Sequence, residues 1–200
     1  MQQGLPVMEH FYTVQGEGTF TGSAAYFIRL GGCDVGCTWC DVKESWDVNA
    51  HPKIAVEELV RVVTESGALI AVITGGEPAM HDLTELTRAL KTSGIRTHIE
   101  TSGVYPLSGA WDWVTFSPKK FKKPHDSIFN HADELKVVVY HPSDLNWAET
   151  FAPFMKDQSH FFLQPEWSRR DKNTPLIFDY VRQNPRWRIS IQTHKYMGVD

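Results

Sequence analysis

Short apolar runs alternate with stretches of helical periodicity along most of this chain, and that rhythm limits its fold more than any other feature. Candidate strands cover residues 25–30, 69–74, 97–100, 114–116, 134–139, 161–164 and 188–192. Candidate helices cover 55–65, 83–91, 144–155 and 175–184. Val56, Leu59, Val60 and Val63 recur at three- and four-residue steps, as do Leu83, Leu86 and Leu90, so these helices each carry one apolar stripe to bury. Thr174 suits an N-cap, with Pro175 at the first helical position, where a missing N–H costs nothing. Such alternation predicts an α/β fold. The length of 200 residues predicts one domain over positions 1–200, with enough chain to bury a core.

All three cysteines lie in the run Cys33-Asp34-Val35-Gly36-Cys37-Thr38-Trp39-Cys40. One odd cluster cannot pair fully into disulfides. Three thiolates at this spacing can hold three corners of a four-iron cube and leave the fourth iron open to a small molecule. A structural zinc ion takes four ligands and would need a distant His or Asp. Three buried free thiols are the remaining reading. Gly32 and Gly36 favour the cluster, because they let the backbone wrap closely round a bulky group.

Five candidate strands end in polar or small residues: Thr74-Gly75-Gly76-Glu77-Pro78, Glu100-Thr101-Ser102-Gly103, Ser117-Pro118-Lys119, Gln164-Pro165-Glu166 and Gln192-Thr193-His194-Lys195. Parallel α/β proteins bind ligands at the carboxyl ends of their strands, so five such ends suggest one composite site. Residues 117–131, with Lys119, Lys120, Lys122, Lys123 and two prolines, read as an irregular loop. The formal net charge of -4 gives no general attraction to nucleic acid. No run is long and apolar enough to span a bilayer, and Met1 to Met8 lack a signal-peptide layout, so a cytoplasmic protein is expected.

The cysteine spacing, with Trp39 directly before Cys40, resembles the signature of the radical S-adenosylmethionine superfamily. Gly75-Gly76-Glu77-Pro78 resembles its GGEP motif. In finer detail the chain is similar to the 7-carboxy-7-deazaguanine synthase family over almost its whole length. The match runs from Gln15-Gly16-Glu17-Gly18 and Phe27-Ile28-Arg29-Leu30 through Cys40-Asp41 and Ser45-Trp46. It continues through the strand ends above and Asp133-Glu134-Leu135-Lys136 to Gln192-Thr193-His194-Lys195.

The resemblance implies an incomplete (β/α)6-type barrel of parallel strands with reduced helices. It implies a [4Fe-4S] cluster on Cys33, Cys37 and Cys40, whose open iron binds S-adenosylmethionine and, on reduction, yields a 5′-deoxyadenosyl radical. Trp39, Cys40, Asp41, Gly76, Ser117, Pro118 and Lys119 correspond to positions contacting S-adenosylmethionine, and Glu100 suits its ribose hydroxyls. Lys119 is either a point charge for its carboxylate or one of four surface lysines. Val14, Gln15, Gly16, Arg29 and Thr74 correspond to substrate positions. Gln15 offers an amide donor and acceptor for a ring edge, and Arg29 a fork for a carboxylate or a structural salt bridge. Glu134 and Lys136 share a strand face, as a buried ion pair or as site residues. His194 lines the site at a strand end, and the terminal carboxylate of Asp200 corresponds to a further substrate contact. No catalytic residue is implied beyond the cluster and S-adenosylmethionine.

The implied reaction contracts the ring of 6-carboxy-5,6,7,8-tetrahydropterin to 7-carboxy-7-deazaguanine with loss of ammonia, on the route to 7-deazapurines such as queuosine. A flavodoxin or ferredoxin as electron donor and a homodimer are implied as well; nucleic acid and membrane are not. One position departs from the family: Thr or Ser usually follows Cys-Asp and ligates Mg²⁺, and here it is Val42, which has no oxygen to give. A Mg²⁺ held in the family's way is therefore in question. Two other classes share parts of the pattern: a glycyl-radical enzyme activase, and a non-enzymatic iron–sulfur or zinc module.

Overall fold

The computed structural model describes residues 4–199. Its strands are β1 (Leu5–Val14), β2 (Ala24–Leu30), β3 (Lys53–Ile54), β4 (Ile70–Gly75), β5 (Arg96–Thr101), β6 (Trp113–Phe116), β7 (Glu134–Val139), β8 (His160–Pro165) and β9 (Trp187–Ile189). They form one sheet in the order β3-β1-β2-β4-β5-β6-β7-β8-β9. From β2 to β9 every neighbouring pair is parallel, while β1 runs antiparallel to β2 and β3. The two edges, β3 and β9, do not pair, so this α/β fold is an incomplete barrel, as expected.

The helices are α1 (Val56–Glu65), α2 (Thr84–Thr92), α3 (Ile128–His131), α4 (Ser143–Glu149), α5 (Arg170–Gln183) and α6 (Thr193–Met197). Side chains alternate across each strand. On the outer face Ile73, Ile99, Phe116, Leu135, Val137 and Leu163 pack with Leu59 and Val63 of α1, Leu86 and Leu90 of α2, Leu145 of α4 and Ile177 of α5 in the main core. The inner face starts apolar, with Ala25, Phe27, Ile70 and Val72 against Phe11 and Phe20. It turns polar toward the carboxyl ends.

The β1–β2 connection closes the floor. Thr19 N donates to Glu134 Oε2 at 2.9 Å, Gly18 N to Ser190 Oγ at 3.0 Å, and Phe20 lies 4.5 Å from the His98 ring and 5.0 Å from Trp113. Residues 15–23 thus lie under the inner face, along the start of β5 to β8, and fill the gap an incomplete barrel leaves.

Several elements differ from the sequence reading. β1 and β3 were not anticipated: Pro6, Glu9 and His10 interrupt the apolar alternation of β1, which lies near the sheet edge and is half-exposed along most of its length. A bulge between Val7 and Glu9 shifts the register and sets Glu9 opposite Arg29. The helix expected over 175–184 starts at Arg170, with Pro175 inside it. Only the bond to Asp171 is lost there, and the buried Asn173 amide anchors the first turn to the carbonyls of Val139 and Tyr140. The helix expected over 144–155 ends at Glu149; Pro153 has no N–H to give its carbonyl, and a 3-10 turn, Ala152–Phe154, follows. The last strand stops at Ile189, and His194 sits on α6 instead. The lysine-rich loop contains α3. No helix among the described residues is long and apolar enough to cross a membrane.

Candidate active site

The inner face and the carboxyl ends of the strands enclose a cavity of about 530 Å³. The connection after β2 brings Cys33, Cys37 and Cys40 to its wall, all three as free thiols. Cys37 is buried with Val35 and Val104. Burial pushes the Cys37 thiol up to about 11 and raises Cys33 too, so a cationic partner is what would favour their thiolate forms. Among the described residues no three His, Cys, Asp or Glu side chains group as ligands of one metal ion. Three thiols at one wall of an open cavity suit a cube with an open iron, whereas a structural zinc takes four ligands.

The end of β4 clamps the root of this loop. Gly76 N donates to Leu30 O at 2.9 Å and Glu77 N to Gly32 O at 2.8 Å. A Cβ on Gly76 would stand 2.3 Å from the Gly32 carbonyl oxygen, so only glycine permits the approach. Glu77 is 1% exposed. It accepts from Ala79 N at 3.1 Å, Ser102 N at 2.8 Å and the hydroxyls of Thr101 and Ser102, tying β4 to the end of β5. The glycine pair of this motif therefore serves backbone-to-backbone packing as well as lining the cavity.

Lys119 separates from its three neighbours. Lys120, Lys122 and Lys123 pair outside the cavity with Asp144, Asp34 and Asp126. Lys119 lines the cavity, its Nζ donating to Ser117 O at 2.5 Å and Ser117 Oγ at 2.7 Å. Burial lowers its pKa, and the neighbouring Cys37 thiol opposes that shift.

At the opposite end a charged network fills the inner face. Gln15 Nε2 donates to Glu100 Oε1 at 2.9 Å, and Glu17 N to Gln15 Oε1 at 3.0 Å. Lys136 pairs with Glu17 and lies 3.6 Å from Glu100 Oε2, while Gln192 Nε2 donates to Glu17 Oε1 at 2.8 Å. Burial would raise the Glu17 carboxyl, but the charge and hydrogen bond of Lys136, with Gln192, hold it at about 2. Burial would lower Lys136, yet Glu100, Glu17 and Glu134 hold it above its ordinary value. Glu134 itself is raised by burial. The partners of Lys136 are thus Glu17 and Glu100, where the sequence suggested Glu134.

Arg29 Nε pairs with Glu9 at 2.6 Å. Burial lowers the His194 pKa, which favours the neutral ring, and a Cβ on Gly16 would fall 2.0 Å from His194 Nδ1. Thr193 N and Oγ1 both donate to Gly16 O at 3.0 Å, docking α6 beside the loop. Lys195 Nζ donates to Asp41 Oδ2 at 2.9 Å across the mouth.

The cavity wall therefore unites Cys33, Cys37, Trp39, Cys40, Asp41, Gly76, Glu100, Ser117 and Lys119 with Val14, Gln15, Gly16, Arg29, Thr74 and His194. Pro118 is not on the wall, and Asp200 lies outside the described residues. Glu9, Phe11, Glu17 and Trp167 line it without having been singled out. Glu17 could have been: it stands in the Gln15-to-Gly18 match, two residues past Gln15.

A model described as the Radical SAM superfamily matches residues 27–136, from β2 to β7. That span carries the cysteine loop, the β4 clamp, Glu100 and Lys119, and it defines the class. The chain is 52% identical to the 7-carboxy-7-deazaguanine synthase of Flavobacterium psychrophilum, across 98% of this chain and 92% of that protein. Identity to the Synechocystis sp. enzyme of the same name is 48%, across 97% and 93%. The crystal structure of QueE from Escherichia coli matches with a TM-score of 0.83 at 35% identity, covering 94% of this chain and 93% of that one. The chain belongs to the 7-carboxy-7-deazaguanine synthase family.

Proposed function

We infer that this protein is a lyase that contracts 6-carboxy-5,6,7,8-tetrahydropterin to 7-carboxy-7-deazaguanine with loss of ammonia. One observation carries the reading: a single cavity holds three free cysteines at one wall and, at the other, a buried set of groups able to read a carboxylated heterocycle. When bound to Cys33, Cys37 and Cys40, a [4Fe-4S] cluster with S-adenosylmethionine supplies the hydrogen-abstracting radical chemistry.

The protein's own part is binding, orientation and exclusion of water. Lys119 gives S-adenosylmethionine's carboxylate a cation beside the thiols, with Trp39, Asp41, Gly76 and Ser117 along the same wall. Glu100 accepts from ribose hydroxyls. Glu17, kept ionised by Lys136, and the Gln15 amide accept from ring N–H groups, and Gln15 can also donate. Arg29 spends Nε on Glu9 and offers its remaining N–H groups to an acid. A neutral His194 both donates and accepts. Phe11 and Trp167 contribute apolar wall.

A glycyl-radical activase must admit a protein backbone. A cavity built from the floor loop, the cysteine loop and α6, with charge complementary to a small ring, supports the pterin reading over it. A flavodoxin or ferredoxin as reductant, a homodimer and a cytoplasmic setting belong to the same proposal. Anaerobic reconstitution with iron and sulfide, reduction and addition of both substrates should give the mass of the deazapurine, with S-adenosylmethionine regenerated by hydrogen return and 5′-deoxyadenosine formed only in uncoupled turnovers. If 5′-deoxyadenosine forms without any deazapurine, the substrate assignment is wrong.

A further inference from the structure

The oxygen atoms around Val42 do not form a magnesium site. Val42 lines the cavity with a hydrocarbon side chain. Its carbonyl is engaged twice, accepting from Ser45 Oγ at 2.7 Å and Ser45 N at 3.1 Å. The carboxylate of Asp41 is paired with Lys195. A hard divalent cation needs several oxygen ligands in a regular shell; here the Val42 side chain offers none, the Val42 carbonyl is taken and the Asp41 carboxylate already faces a cation.

An ammonium stands beside Asp41, the residue before Val42. Lys195 reaches the cavity from α6, with 24% of its side chain exposed, and Nζ lies 5.1 Å from the centre of the Trp167 ring. The ring face and Asp41 hold the cation in one place, and the bond to Asp41 leaves two further N–H donors. Partial burial strengthens its attraction for a second anion. We propose that Lys195, positioned by Asp41 and Trp167, binds the carboxylate of the ring substrate in the place of a metal ion. Substrate recognition in this chain is then independent of divalent cations. The inference rests on the pterin reading above, since it needs a carboxylated ring.

The reconstituted holoenzyme with S-adenosylmethionine can be titrated with 7-carboxy-7-deazaguanine, a stable carboxylated probe, and with the same ring lacking the carboxylate. Tryptophan fluorescence reads both. Wild-type affinity for the carboxylated ring should be the same with Mg²⁺ and with excess chelator. Lys195→Met should weaken that binding about tenfold or more, as loss of a charged hydrogen bond does. It should leave binding of the uncarboxylated ring unchanged, which also shows that the variant is folded. Lys195→Arg should restore most of the affinity. Adding Val42→Thr to Lys195→Met should make binding respond to Mg²⁺. If chelation weakens the wild type tenfold, or if Lys195→Met changes both rings alike, the inference is overturned while the enzyme's activity still stands. If the wild type binds neither ring and makes no product, the functional reading falls and takes this inference with it.

Discussion

Along β7, Leu135, Val137 and Val139 face the helices while Glu134, Lys136 and Val138 face the cavity floor. Leu135 is 0% exposed and Lys136 is 3% exposed, so these two neighbours are equally dry. They reach that state by different means. Each outer side chain contributes on its own, roughly 1.5–3 kcal/mol for full burial, and needs only apolar neighbours of fitting shape. Each inner charge is tolerated only through a named partner: Lys136 through Glu17 and Glu100, Glu77 through four donors from Ala79, Thr101 and Ser102. The outer face is a sum of contributions; the inner face is a set that holds together or fails together. Binding and chemistry belong to the second kind of face, where a group can be kept charged and aimed.

The sharpest break in this comparison is expected at Cys37. Cys37→Ser should abolish 5′-deoxyadenosine formation while the apo protein melts within a few degrees of the wild type, because serine keeps nearly the same shape beside Val35 and Val104. Lys136→Met comes next. It leaves Glu17 buried beside no cation, and about 3–5 kcal/mol of stability should go with it, together with product formation. Adding Glu17→Gln should recover much of the stability in urea titrations and none of the activity, since the carboxylate acceptor is gone too. Leu135→Ala tests the other face: a loss of about 2–5 kcal/mol, with turnover per folded molecule retained. If that variant loses turnover as fully as Lys136→Met, the two faces are not separable.

The smaller effects are in pH dependence. Glu17 ionises near 2 in the fold against 4.5 as a free side chain. Its pairing stabilises the protein above pH 4.5, and that stabilisation fades as pH falls toward 2. Glu17→Gln should flatten this part of the curve. His98, on the floor, has a buried Nε2 with no partner among the described residues, and burial chiefly lowers its pKa to about 4 from 6.5. Keeping it neutral destabilises the fold as pH drops from 6.5 to 4, by about 3 kcal/mol at the lower end, and not at all at pH 7. His98→Phe should remove that slope in melts taken between pH 7 and 4, with almost no change at neutral pH.

Most of the outer face was legible in the sequence, because period-two runs such as 134–139 and the stripes of α1 and α2 are local signals. So were the cysteine loop and the polar strand ends. β1 was not, since a half-exposed strand near a sheet edge need not alternate cleanly. The start of α5 was hidden because Asn173, not a local cap, holds its first turn. The inner network was legible only in part. Lys136 and Glu17 are 119 positions apart, and nothing in either neighbourhood indicates the other. The absence of a hydroxyl at Val42 was plain from residue identity alone. That Lys195 reaches Asp41 depends on where α6 docks, which only the folded chain defines.

The docking of α6 onto the floor loop has a consequence for how the protein is made. Gln192 and Glu17 are 175 positions apart, and Thr193 and Gly16 are 177. Contacts that distant are the slowest to form, because so much chain must be brought round before they are rewarded. On the ribosome, residues 15–18 must wait for residues 190–193 to emerge before that wall of the pocket is complete. A partly synthesised chain can pair most of its strands but leaves the floor loop without the contacts that α6 and Gln192 give it. A protease cut before Gln192 should silence the enzyme while leaving most of the sheet standing.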